Sequence, residues 1–149
     1  MRSDNFLILL VEDEQADAHL IRMAMKEAGL AIDLVHVLDG VEALEYLQQV
    51  DEGDIQKRPD LILLDLNMPR MNGLEFLRRV KAHERYRVLP VVIMTTSDSD
   101  TDVSAAYSEG AAGFVVKPMD VSTFIDQIRQ LQSYWFDLVR HPNRMPLEE

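Results

Sequence analysis

A chain of 149 residues with 47% hydrophobic and 28% charged residues has the balance of one soluble globular domain, long enough to bury its own core. Its formal net charge of −11 argues against a nucleic-acid surface, which needs clustered Lys and Arg to neutralise phosphates. The absence of Cys excludes disulfides, thiolate catalysis and Cys-ligated metals.

In the opening segment MRSDNFLILLVEDE, Phe6 to Val11 is a continuous apolar run between polar residues. It is too short for a signal peptide or a membrane span, and it has the pattern of a strand buried on both faces. With no targeting segment and no membrane partner indicated, the cytoplasm is the expected location. Ala16 to Ala28 carries Leu20, Ile21, Ala24 and Ala28 on one helical face, with Gly29 as its C-terminal cap. Ile32 to Leu38 reads as a second strand ending at Asp39-Gly40, followed by a helix from Val41 to Gln49. VDEGDIQKRPD is a polar loop longer than most connections in compact domains.

Leu61 to Leu64 is the third strand and Leu74 to Ala82 the next helix. Pro90 to Met94 is the fourth strand, opened by a proline that suits a strand start. Thr101 to Glu109 is a helix closed by Gly110, and Phe114 to Val116 a short fifth strand. The last helix runs from Ser122 to about Val139. We therefore expect one domain over residues 1–140 and a tail over 141–149, whose closing MPLEE is assigned no function. There is no internal repeat and no low-complexity tract.

Five alternations of strand and helix imply a parallel sheet covered on both faces, with right-handed crossovers. The expected fold is a flavodoxin-like, doubly wound α/β sheet in the order 2-1-3-4-5, with an extended C-terminal helix. Ligands bind such sheets at the carboxyl ends of the strands, in the crevice between strands 1 and 3. Strand 1 ends in Glu12 and Asp13, strand 3 in Asp65, strand 4 in Thr95-Thr96-Ser97 and strand 5 in Lys117-Pro118. Each end alone has a bland explanation as a solvated turn; four on one rim do not.

The electrostatics of that rim are demanding. Two carboxylates ~5 Å apart at an effective dielectric of ~20 repel by roughly 3 kcal/mol. Glu12, Asp13 and Asp65 together must either rise in pKa or recruit a cation, and carboxylates with open positions suit Mg²⁺. Lys117 adds a positive charge and Thr95 a hydroxyl. These are the requirements of phosphoryl transfer onto a carboxylate, with Asp65 as the nucleophile.

The segments LLVEDE, LILLDLNMPRMNG, VVIMTTS and GFVVKP, in this order and spacing, resemble the landmarks of bacterial response-regulator receiver domains of the CheY type. The resemblance covers the chain through its last helix. It implies Asp65 as phosphoacceptor, Asp13 in direct contact with Mg²⁺, Glu12 reaching it through water, and the Asn67 carbonyl completing the metal site. It implies Thr95 as the switch hydroxyl and Lys117 as the cation on the phosphoryl group. Phe114 falls at the switch-aromatic position, often Tyr in this family, and as Phe it couples by ring packing alone. Pro118 falls where the family often has a cis peptide bond. The implied donor is a sensor histidine kinase. The polar loop before strand 3 and the LQSYWFDLV extension also look like the stand-alone regulators that pair with bacterial phytochromes. A phosphate-sink role without output of its own is equally compatible.

Competing readings are weaker. An aspartate-nucleophile phosphatase needs a second Asp as general acid two residues after the nucleophile, and that position is Asn67. A flavin carrier on this fold wants a Ser/Thr/Gly-rich phosphate loop where VEDEQAD stands, and glycine nucleotide signatures are absent. His19, His36, His83 and His141 show no metal-ligand spacing, RRVKAHERYR reads as a solvated helix face, and the Met residues read as core filler.

A helix from Ser122 to Val139 is ~27 Å long at 1.5 Å per residue, whereas five-residue strands span only ~17 Å. The stripe Phe124, Ile128, Leu131, Trp135 and Leu138 should therefore overhang the sheet at its Trp135 and Leu138 end. We expect that end to be a partner surface, most simply for a second copy in a homodimer.

Overall fold

The computed structural model describes residues 5–27, 32–53 and 58–140. Its strands are β1 (Phe6–Val11), β2 (Ile32–Val37), β3 (Leu61–Leu64), β4 (Val91–Thr95) and β5 (Gly113–Val116). They alternate with α1 (Gln15–Glu27), α2 (Gly40–Gly53), α3 (Gly73–Ala82), α4 (Asp100–Ser108) and α5 (Val121–Gln132). The order is β2-β1-β3-β4-β5, every pairing parallel, as the alternation predicts.

Every residue of β1, β3 and β4 is buried, which is why these strands read as unbroken apolar runs. Their alternate side chains feed two cores. Leu9, Val11, Ile62, Leu64 and Ile93 pack with residues of α2, α3 and α4 on one face. Ile8, Leu10, Leu61, Leu63, Val92 and Met94 pack with residues of α1 and α5 on the other. Side-chain caps fix where helices start: Asn72 accepts the Glu75 N–H, Ser99 that of Asp102 and Asp120 that of Thr123. Gly110, with φ of 101°, takes the left-handed turn after α4 that the sequence assigns to it.

Three expectations change. β4 is shifted by one residue from the expected Pro90–Met94, starting at Val91 and ending at Thr95. α2 runs on to Gly53, so less of the polar segment is loop. The last helix is not one continuous α-helix: it ends at Gln132 and widens into a π-helical turn, Ser133–Leu138, closed by the Val139 N–H donating to the Tyr134 carbonyl at 3.0 Å. The extra residue in that turn shifts the apolar face. Trp135 and Phe136 pack back on the α1/α5 core, the Phe136 ring edge-on to Phe6 at 5.3 Å, and Leu138 is left 74% exposed. The overhanging end thus finds a core for Trp135 but not for Leu138. Ala28, Gly29, the centre of the polar loop and the 141–149 tail lie outside the described residues.

Candidate functional site

Strand pairing brings the acids together. The Asp65 N–H donates to the Val11 carbonyl at 3.0 Å, and the Glu12 N–H to the Val37 carbonyl at 3.0 Å. Glu12 and Asp65 therefore leave adjacent strands at one level. Each of Glu12, Asp13 and Asp65 offers a carboxylate oxygen within 4.8 Å of the others. Glu12 and Asp65 are buried, at 1% and 8% exposure, while Asp13 faces solvent.

Lys117 crosses the rim from the end of β5, which its N–H ties to the Thr95 carbonyl at 2.7 Å. Its Nζ donates to Glu12 Oε1 at 2.6 Å and to Asp17 Oδ2 at 2.8 Å, and lies 4.0 Å from Asp65 Oδ2. Burial disfavours the ammonium, but hydrogen bonds to Asp17 and Glu12 outweigh that and raise its pKa above the ordinary lysine range. Burial pushes the Glu12 carboxyl up to about 7, against the pull of Lys117. With all four acids ionised, one ammonium leaves three negative charges uncompensated. An all-oxygen donor set with excess negative charge and one solvent-open side fits a hard divalent cation that keeps part of its water shell.

Thr95 is fully buried and its Oγ1 accepts the Ser97 N–H at 3.5 Å. Asn67 is exposed in the turn after β3, and its N–H donates to Asp65 Oδ1 at 3.4 Å. Phe114 pairs with Ile93 in the β4–β5 register and packs on the same core. The Lys117–Pro118 peptide is trans, since no cis peptide occurs among the described residues; the cis bond implied by the resemblance is not present. Trp135 and Leu138 do not join this site. Trp135 lines a groove with Tyr107, Phe114, Gln127 and Tyr134 between α4, β5 and the π-helical turn.

Two participants escaped the sequence reading. Asp17, in the first turn of α1, shares Lys117 with Glu12; its position five residues past Glu12 is the only signal available. His36 Nε2 donates to the Glu12 carbonyl at 2.7 Å and so braces the acid pair from β2.

The strand order and the acid–lysine cluster at the carboxyl ends define the class: a receiver domain of two-component signalling. The profile of the response regulator receiver domain matches residues 8–129, and the chain belongs to that family. It is 38% identical over 139 residues to the probable methanogenesis regulatory protein FilR2 of Methanothrix harundinacea, covering 93% of this chain and 89% of that one. It is 35% identical over 136 residues to response regulator Rcp1 of Synechocystis, covering 91% and 92%. A Mn²⁺-bound Rcp1 structure superposes with a TM-score of 0.85 at 34% identity, covering 92% of this chain and 99% of that chain. The phosphorylated cyanobacterial phytochrome response regulator RcpA gives 0.85 at 34% identity, covering 93% and 99%. Receiver domains bind a divalent metal and are phosphorylated by histidine kinases; no described helix is long and apolar enough to cross a membrane.

Proposed function

We propose that the protein is a cytoplasmic single-domain response regulator over residues 1–140, which accepts a phosphoryl group on Asp65 from a histidine kinase with Mg²⁺ bound. It catalyses only its own phosphorylation and dephosphorylation, and it signals through protein contact. The observation that carries this reading is the convergence of Glu12, Asp13 and Asp65 within 4.8 Å beside Lys117.

Glu12, Asp13, Asp65 and the Asn67 carbonyl would hold the ion, which supplies charge compensation for the transferring group and its attacking oxygen. An Asp65 carboxylate oxygen attacks phosphorus; the new P–O bond forms as the P–N bond of a phosphohistidine breaks, and the imidazole leaves with the electron pair. Lys117 gives up part of its grip on Glu12 and Asp17 to meet the new phosphoryl oxygens. Thr95 turns its hydroxyl toward them, and Phe114, packed on the same face, carries the change to the surface of α4, β5 and α5. Slow hydrolysis resets the state. Incubation with acetyl phosphate and Mg²⁺ should add one phosphoryl group per chain, located on the Asp65 peptide by mass spectrometry; a label elsewhere refutes the assignment.

The likeness to the phytochrome regulator RcpA supports a bacteriophytochrome as the cognate kinase. Phosphotransfer from such a kinase, compared with other histidine kinases, tests that pairing. The aromatic groove, which Trp135 lines, and the exposed Tyr134 and Leu138, at 51% and 74% exposure, support a homodimer through the α4–β5–α5 side. Because Tyr134 and Leu138 are exposed, Tyr134→Glu with Leu138→Glu should leave the domain folded and give a monomer by light scattering. A variant that stays dimeric removes this surface from the account.

A further inference from the structure

Arg70 stands in the turn between Asp65 and α3, three residues after Asn67. Its guanidinium holds Asp39 with two hydrogen bonds, Nε to Oδ2 at 2.7 Å and Nη2 to Oδ1 at 3.3 Å. Asp39 is only 4% exposed, and its Oδ1 also accepts the Glu42 N–H at 3.0 Å, so the same carboxylate caps α2. Glu42 Oε1 in turn accepts the Leu38 N–H at 2.9 Å. Burial works against the Asp39 charge, yet Arg70 and the α2 amide hold its pKa below the ordinary carboxylate value.

The turn is fastened at a second place on the same corner. Met71 is seated on Gly40, where a Cβ would lie 2.9 Å from the Met71 sulfur. At its far end the turn closes on the backbone of the acceptor. The Gly73 N–H donates to the Leu66 carbonyl at 2.9 Å, and a Cβ on Gly73 would collide with the Asp65 carbonyl oxygen. Asn67 lies between these two fastenings. The corner that receives Arg70 follows β2, whose last residue, Val37, accepts the Glu12 N–H. The Arg70–Asp39 pair therefore ties together the two corners that flank the acid trio.

The Arg70 side chain is itself 56% exposed and takes no part in either core. A planar fork on a buried carboxylate fixes orientation as well as distance, which a lysine ammonium does not.

We propose that Arg70 is a positioning residue for the metal: through Asp39 it sets the Asn67 carbonyl against Glu12, Asp13 and Asp65. The inference rests on the functional reading above, in which that carbonyl is a ligand. It makes a prediction opposite in sign to plain electrostatics. Removing a positive charge near an acidic site should tighten cation binding, whereas losing a support of the ligand shell weakens it, typically 10–100-fold.

The test is calorimetric titration of MgCl₂ into wild type, Arg70→Met and Arg70→Lys at fixed ionic strength. The expected result is a dissociation constant about 10-fold higher for Arg70→Met, and a smaller rise for Arg70→Lys, which keeps the charge but loses the fork. With acetyl phosphate, saturating Mg²⁺ should then restore the wild-type phosphorylation rate to both variants. Arg70→Met binding Mg²⁺ as tightly as wild type, or more tightly, overturns the inference while leaving the functional reading intact. Failure of wild type to bind Mg²⁺ overturns both.

Discussion

Asp65→Asn abolishes phosphoryl uptake from acetyl phosphate or a kinase phosphohistidine, in a protein that stays folded. The substitution changes one oxygen to nitrogen, so it keeps the volume at the end of β3 and can still accept the Asn67 N–H that Asp65 Oδ1 accepts at 3.4 Å. What it removes is the nucleophile and one of three crowded negative charges. Relief of its repulsion from Glu12 and Asp13, roughly 3 kcal/mol for each carboxylate pair ~5 Å apart at a dielectric of ~20, offsets the loss of its attraction to Lys117 across 4.0 Å in the metal-free fold. The loss of labelling should therefore come with an unchanged or raised melting temperature. Intact-mass measurement after incubation with Mg²⁺ and phosphodonor reads the first effect, and thermal denaturation the second. Labelling of the variant at the wild-type level would remove Asp65 from the mechanism.

Lys117→Met has the second-largest effect, and on stability as well as chemistry. The ammonium is 5% exposed and joins Glu12, itself 2% exposed, to Asp17. Removing one partner of a buried ion pair leaves an uncompensated charge and costs about 3–5 kcal/mol. Glu12 has a way out, because burial already pushes it up to about 7 and loss of Lys117 pushes it further. A carboxyl whose folded pKa is raised binds more protons folded than unfolded, so its contribution to stability falls as pH rises through that interval. The variant should thus be least stable relative to wild type above pH 7 and recover as the pH falls toward the ordinary glutamate range. Mg²⁺ should stabilise it more than it stabilises wild type, while phosphorylation, lacking the cation for the phosphoryl oxygens, slows by about 10²-fold or more. Denaturation at several pH values with and without Mg²⁺ checks this. A pH-independent stability loss would show that Glu12 is not the group left exposed to the change.

Most of the fold was legible because a parallel sheet buries its central strands on both faces. FLILLV, LILL and VVIMT leave no reading but strand, and their carboxyl ends carry the acids and Thr95. Lys117 was legible as one of four polar strand ends, not by itself. Asp17 was not, because an acid in the first turn of a helix already has a sufficient reason to be there. Its bond to Lys117 spans the chain from α1 to β5. His36 looked like any strand histidine, because the order 2-1-3-4-5 puts β2 beside β1 without showing that its ring reaches the Glu12 carbonyl. Arg70 was invisible for a similar reason, since its partner Asp39 reads as an ordinary turn residue before Gly40.

The extent of the last helix was legible, to Leu138, but its geometry was not. An α-helical stripe through Trp135 and Leu138 fits the spacing. The widened turn instead puts Phe136 on Phe6, a contact that depends on where β1 begins relative to α5. The trans Lys117–Pro118 bond corrects an expectation that came from resemblance rather than from any local pattern.

The most direct test is a calorimetric Mg²⁺ titration of wild type against Asp13→Asn. Asp13 is the solvent-facing member of the trio, so its loss spares the core. One ion per wild-type chain, with binding lost or severely weakened in the variant, is the predicted result. Absence of binding in wild type, or equal affinity in both proteins, would contradict the claim that these carboxylates share one cation.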